Sequence, residues 1–273
     1  KKSLGQHFLT DENIARKIIG SLNPAIPLVL EIGPGKGVLS KYLLEDPRFD
    51  PWFVEIDRES VNYLKERYPA IRDRMIEEDF LKLDLGSLIP DLGSLINRQP
   101  SGIRHLASGI QILGNFPYNI SSQILFQVLK HRDLVAEVTG IFQREVARRI
   151  AAPPGSKTYG ILSVLLQAFY RIEYLFTVNE SVFFPPPNVK SAVIRLVRND
   201  VQSLDCDEQF WITVVKTAFN QRRKTLRNSL RKLTPPGFPD FSNPLFGLRP
   251  EQLTVSDFVA LARMLHPVSS ENN

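Results

Sequence analysis

Four consecutive residues, Asn115-Phe116-Pro117-Tyr118, combine side chains and backbone that can hold a planar amine. The Asn115 side-chain carbonyl and a main-chain carbonyl of Phe116 or Pro117 offer two acceptors for the two N–H bonds of an exocyclic adenine amine. Proline fixes φ, so such a turn aims a carbonyl outward. Tyr118 adds a flat face on which a base can stack. An adenine amine is a poor nucleophile because its lone pair is delocalised into the ring. Acceptors on both N–H groups favour rehybridisation and expose that pair, and the product ammonium sheds its proton readily without a strong general base. The chemistry that suits these residues is methyl transfer to the amine, driven by positioning and preorganised polarity. A bare NFPY tetrapeptide is also an ordinary β-turn, so its setting in the chain decides its weight.

That setting is an alternation of strands and helices. Leu28–Ile32 reads as a buried strand that ends in Gly33-Pro34-Gly35-Lys36-Gly37, with helical spacing from Val38 to Leu44. Residues 53–57 form a second strand before an amphipathic stretch from Arg58 to Tyr68. Residues 75–80 suggest a third strand and Ile110–Leu113 a fourth, running directly into Gly114 and the tetrapeptide. Ser121 is placed to cap a helix reaching Lys130, and residues 138–142 and 192–197 supply further strands. The order implies a mostly parallel sheet covered by helices on both faces.

The turn at Gly33 has the pattern E-x-G-x-G-x-G rather than the dinucleotide G-x-G-x-x-G, with Pro34 and Lys36 crowding the helix entrance. Glu55 closes the second strand, where a carboxylate can accept two hydrogen bonds from a ribose diol. Asp79 closes the third, where it can accept one from an adenine amine. Those acids alone serve a nicotinamide dehydrogenase as well as a methyltransferase, and the NFPY turn favours the methyltransferase. The chain offers no Ser-His-Asp or Cys-His set as a rival chemistry.

The chain has 273 residues, enough for one large domain and a small one, and 43% of them are hydrophobic, an ordinary globular share. No apolar run approaches the ~20 residues of a membrane span, and the first residues lack a signal-peptide core, so a soluble intracellular protein is expected. Cys206 is the only cysteine, and His7, His105, His131 and His266 lack metal-ligand spacing, so no metal is expected. The net charge of +5 points only weakly to a polyanionic partner, but the run from Gln221 to Lys232 is dense in Lys and Arg and holds no acid. Residues 199–207 are polar and acidic without periodicity. They divide an expected domain over 1–198 from a small helical one over 199–273, with helices over 209–233 and 252–265. Residues 86–109 read as a helix plus a surface loop.

Taken together, KKSLGQHFL, EIGPGKGVLS, VEID, EEDF, GNFPYNISS, QREVARRI, SKTYGILSV, FFPPPNVKSAV and AFNQRRKTLRNSL span the chain. With them it resembles the bacterial small-subunit (16S) ribosomal RNA adenine dimethyltransferases. The resemblance implies a Rossmann-like class I methyltransferase fold with a small all-helical C-terminal domain, and S-adenosylmethionine as cofactor. It implies that Gln6, His7 and Leu9 close over the methionine end of that cofactor. Many relatives carry Asn at the position of His7, which leaves it a backbone or a swapped side-chain contact. Gly33, Glu55, Asp79 and Asn115 match cofactor-contacting positions, with Gly35, Ile56 and Phe80 beside them. Phe183 matches the aromatic that pairs with Tyr118 around the target adenine; the alternative reading of Phe183 is a plain core side chain.

By the same resemblance the substrate is two adjacent adenosines near the 3′ end of 16S RNA, presented by an immature 30S subunit. Arg222, Arg223, Lys224 and Arg227 are the expected RNA contacts of a cytoplasmic monomer. The segment 86–109 is longer than in many relatives. Two rivals remain: a large-subunit RNA adenine methylase, which typically lacks the block from Phe219 to Leu230, and a non-catalytic RNA-binding or transcription factor of the same fold, which has no need of Glu55, Asp79 and Asn115.

Overall fold

The structure, a computed structural model, describes residues 7–89, 109–234 and 241–266. Gln6 and most of the 86–109 segment lie outside the described residues. The chain divides into two compact units, one formed by residues 1–147 and 171–198, the other by 148–170 and 199–273.

The first unit is built on a seven-stranded sheet. Its strands are β2 (Leu28–Ile32), β3 (Asp50–Val54), β4 (Met75–Ile76), β5 (Ile110–Asn115), β6 (Val135–Gln143), β7 (Tyr170–Val178) and β9 (Ser191–Arg198), in the order β4-β3-β2-β5-β6-β9-β7. From β4 to β6 all neighbours are parallel, and β9 joins β6 antiparallel. All five residues of β2 are buried, which is why Leu28-Val29-Leu30-Glu31-Ile32 is nearly continuous in apolar side chains rather than alternating. A separate two-stranded ribbon pairs β1 (Phe8–Leu9) antiparallel with β8 (Phe183–Phe184). Its helices include α1 (Glu12–Ile19), α2 (Val38–Glu45), α3 (Arg58–Arg67) and α4 (Ser121–Lys130), and α5 (Arg144–Ile150) begins in it and runs past residue 147.

Local chemistry sets the helix starts. Asp11 caps α1 through the N–H groups of Asn13 and Ile14, and Asp57 caps α3 through Ser60. Ser121 is not the cap of α4: that position is Ile120, and the Ser121 hydroxyl donates instead to the Tyr118 carbonyl at 3.2 Å, inside the preceding turn. The third strand is only two residues long and ends at Ile76; three residues beyond it Asp79 accepts from the Leu81 N–H and opens a 3₁₀ turn at Phe80–Lys82.

The second unit is helical: α6 (Ile161–Gln167), α7 (Glu208–Asn220), α8 (Leu226–Ser229) and α9 (Val255–Leu265). Residues 148–170, which precede the expected boundary at 198/199, group with it for identifiable reasons. Phe169 meets Trp211 edge-on at 6.4 Å, Tyr159 meets Phe219 at 6.1 Å, and the Gly155 N–H donates to the Glu251 carbonyl at 2.6 Å. The single helix expected over 209–233 is broken at Asn220, so the basic residues Arg222, Arg223 and Lys224 sit in a turn before α8. Among the described residues, no helix is long and apolar enough to cross a membrane.

Candidate functional site

Strand register brings the candidate residues together. Ile32 pairs with both Val54 on β3 and Gly114 on β5, so the residues that follow these strands emerge side by side at their carboxyl ends. The chain leaves β2 toward β3 on one side and β5 toward β6 on the other. This is the switch point at which open α/β sheets form a ligand crevice. A cavity of about 220 Å³ lies there, lined among others by His7, Phe8, Gly33, Gly35, Glu55, Ile56, Asp79, Phe80 and the turn from Asn115 to Ile120.

Gly33 has φ +64°, and a Cβ built on it would meet no atom within 4 Å. The turn therefore leaves open space beside bare backbone, which is what close approach of a ligand requires. Glu55, only 3% exposed, accepts from the Gly35 N–H at 3.1 Å through Oε2, and from the Ile56 and Asp57 N–H groups at 3.0 and 2.9 Å through Oε1. Burial pushes its carboxyl above the usual range, while those three backbone donors oppose the rise. Since a carboxylate has about four acceptor sites, binding both hydroxyls of a ribose diol means sharing or releasing the Gly35 contact. Ile56 is 55% exposed on the cavity, an apolar side chain that the fold itself does not cover. Glu31, on β2 beneath the turn, is fully buried and pushed up to about 8, chiefly by desolvation; Ser40 donates to its Oε2 at 2.8 Å.

The NFPY turn is fixed by residues outside it. The Asn115 amide nitrogen donates to the His7 carbonyl at 2.7 Å, which leaves Oδ1 as the acceptor. The imidazole of His7 bonds through Nδ1 to the Pro185 carbonyl at 2.7 Å, and its ring lies 5.4 Å from that of Tyr118. His7 thus makes both a backbone and a side-chain contact here. The Tyr118 hydroxyl and the buried Ser191 hydroxyl share a 2.6 Å hydrogen bond, and burial raises the phenol above its ordinary value. Phe116 is 1% exposed and packs against Phe142 at 5.1 Å, so its ring anchors the turn rather than facing a ligand.

Two predicted residues do not line this cavity. Leu9 is 3% exposed and pairs in the ribbon with Phe183, also 3% exposed, and both belong to the hydrophobic core. The expectation that Phe183 faces Tyr118 across a base does not match this placement, because the ribbon turns its ring inward and its neighbour Phe184 outward at 66% exposure. Phe8, Ser191 and Pro185 were not singled out from the sequence as site residues, although all three lie in the quoted blocks. Of the expected RNA contacts, Arg223 and Lys224 are exposed, with no carboxylate partner among the described residues. Arg222 is half-buried against Ser156 and Glu251, and Arg227 donates to the Phe241 carbonyl at 2.8 Å. No three His, Cys, Asp or Glu side chains come together as metal ligands among the described residues.

A mostly parallel sheet with its glycine turn, acid and NFPY turn at one switch point defines an enzyme of the Rossmann-like methyltransferase class. A family profile described as ribosomal RNA adenine dimethylase matches residues 1–256, and the chain belongs to that family. Its methyl donor is S-adenosylmethionine, and the open glycine turn, buried Glu55 and uncovered Ile56 suit such a group. The chain is 53% identical over 262 residues to ribosomal RNA small subunit methyltransferase A of Parabacteroides distasonis, covering 96% of this chain and 92% of that one. It is 54% identical over 267 residues to the protein of the same name from Porphyromonas gingivalis, covering 97% of each. Among solved structures it resembles a dimethyladenosine transferase from Plasmodium falciparum (TM-score 0.70, 23% identity, 93% of this chain and 96% of that one). It also resembles the 23S rRNA methyltransferase ErmE (TM-score 0.62, 23% identity, 93% and 99%). These two likenesses concern the fold.

Proposed function

We propose that the protein transfers methyl groups to the 6-amino groups of two adjacent adenosines near the 3′ end of 16S rRNA, giving dimethyladenosines, while that RNA sits in an immature 30S subunit. In this reading it acts in the cytoplasm as a monomer. The observation that carries the proposal is Asn115: its amide nitrogen is committed to His7, so its carbonyl oxygen is left to accept from an amine entering the cavity. When bound, S-adenosylmethionine supplies an electrophilic methyl group on its sulfonium.

The protein's own part is positioning. Gly33 admits the cofactor against bare backbone, and Gly35 lines the same cavity with the Phe8 ring packed on it. Glu55 and Asp79 accept from the cofactor's hydroxyl and amine groups, and Ile56 and Phe80 flank its base. Asn115 and a carbonyl of the Phe116-Pro117 turn hold the two N–H groups of the target, and Tyr118, braced by Ser191, gives the base a stacking face. Gln6, His7 and Leu9 belong to the segment over the methionine end. The buried Phe183 contributes by holding Leu9 in place. In the second unit, Arg223 and Lys224 are the side chains best exposed to take RNA phosphates, with Arg222 and Arg227 beside them. Relatives about half identical over nearly their whole length and named for the small subunit favour it over the large one.

The test is transfer of labelled methyl groups from S-adenosylmethionine to immature small subunits, with up to two expected per adenosine. Label appearing in large-subunit RNA instead would assign the protein to the other ribosomal substrate. No transfer to either would return it to a binding role.

A further inference from the structure

A second hollow of about 390 Å³ shares the Phe8 side chain with the lining of the cofactor cavity. Its lining combines Phe8, Tyr63, Tyr68 and Phe184 with Lys36, Lys41 and Arg67, against a single carboxylate, Glu12. That carboxylate is already engaged, accepting from Lys41 at 3.1 Å and from the Tyr42 hydroxyl at 2.6 Å. Lys36 and Arg67 have no carboxylate partner among the described residues. Each instead sits over an aromatic ring, Lys36 at 5.5 Å from the centre of Phe8 and Arg67 at 5.7 Å from that of Tyr68.

Tyr63 and Arg67 are four residues apart on α3, so they share one face of that helix. Tyr63 is 45% exposed and Phe184 66%, two flat apolar faces left in water around the same hollow. The fold has no need of them there. Aromatic faces interleaved with unpaired cations form the surface that single-stranded nucleic acid uses, its bases stacking and its phosphates neutralised. An acidic peptide would satisfy the cations but leave the rings without a planar partner.

We infer that this hollow binds the RNA strand flanking the methylated adenosine, with Tyr63 and Phe184 as stacking faces and Arg67 and Lys36 as phosphate contacts. The inference rests on the RNA substrate proposed above. Its geometric basis is Phe8, which lines both the cofactor cavity and this hollow, so a strand delivering a base to Tyr118 has a second foothold one residue away.

The experiment compares Arg67→Gln and Tyr63→Ala with the wild type, using immature small subunits, over a salt series. Both side chains are exposed, so thermal melts should match the wild type. Tyr63→Ala should weaken binding by roughly fivefold or more, with the salt dependence unchanged. Arg67→Gln should make the slope of log affinity against log salt shallower by about 0.7. In both, KM for the subunit should rise while the cofactor Kd and the kcat at saturating subunit stay put. A third variant, Phe184→Ala, should behave like Tyr63→Ala. If the wild type methylates subunits and all three variants keep its KM and salt slope, the hollow is a solvated surface and the inference is overturned. Weaker binding by Arg67→Gln with the slope unchanged would indicate a protein partner and would overturn it too. Failure of the wild type to methylate any subunit would instead count against the proposed function.

Discussion

Substituting Gly140, a residue that touches no ligand, should damage catalysis through Phe116. Gly114 on β5 and Gly140 on β6 are direct register partners, and the Phe116 ring fills the slot their missing side chains leave. A Cβ on Gly140 would fall on the edge of that ring and lie 3.0 Å from Phe142 Cε2. With Phe116 1% exposed, the ring has nowhere to go without moving its own backbone, which carries Asn115 on one side and Pro117 on the other. Overpacking by one methyl typically costs about 1–3 kcal/mol. At about 2–4 °C per kcal/mol for a chain of this size, Tm should fall by roughly 2–12 °C. The larger effect should be on turnover, since displacing the amine-holding carbonyls by about 1 Å can cost on the order of 100-fold.

Gly140→Ala should therefore keep the cofactor Kd within a few-fold while kcat for methylation of small subunits drops by about two decades. Adding Phe116→Leu should recover part of the Tm, because a shorter side chain vacates the ring edge, with a coupling of about 0.5–3 kcal/mol between the two sites. The measurements are calorimetry, cofactor titration and single-turnover methyl transfer. A Gly140→Ala protein with wild-type Tm and wild-type turnover would refute the claim that the glycine slot sets the position of the turn.

Asn115→Ala should lower kcat by about 100- to 1,000-fold, the usual cost of losing one preorganised polar contact to the reacting group. It should also loosen the His7 segment, visible as a modest rise in cofactor Kd; turnover surviving the change would remove Asn115 from the proposed mechanism. Ser191→Ala frees the Tyr118 hydroxyl and should cost about 1 kcal/mol of stability with a several-fold drop in kcat, read by denaturant melts and steady-state rates. Glu31 sets a pH dependence. Its folded value of about 8 lies above the unfolded 4.5, so between those pH values the folded chain keeps a proton that the unfolded chain has lost. Stability from this group is full below pH 4.5 and falls as pH rises to about 8. Glu31→Gln should remove that slope, so its stability relative to wild type should climb across the window in urea melts, and a constant difference would contradict it. Replacing both Arg223 and Lys224 by Gln should make the salt slope of subunit binding shallower by about 1.4, measured by filter binding.

Much of the site was legible because its chemistry is local in sequence. The Gly33 turn, Glu55 and Asp79 each follow a strand and Asn115 ends one, and parallel strands must bring such ends to one edge of the sheet. The alternation of apolar runs and amphipathic segments likewise fixed the fold class. What holds the site, however, is non-local. The His7 carbonyl on Asn115, Ser191 on Tyr118 and the facing glycines around Phe116 join residues that only strand register brings together. No periodicity could report that Phe183 turns inward and Phe184 outward, since that is decided by pairing with Phe8 and Leu9. The same holds for the second unit. Arg148–Tyr170 precedes the polar segment that marked the boundary, and it joins the helices beyond through Trp211, Phe219 and Glu251, contacts that exist only once the chain has folded. Residue types and spacing determined which chemistry the protein carries. Tertiary structure decided which side chains face the ligand and which ones hold them there, because facing is set by register and packing, and neither is written in the spacing of one segment.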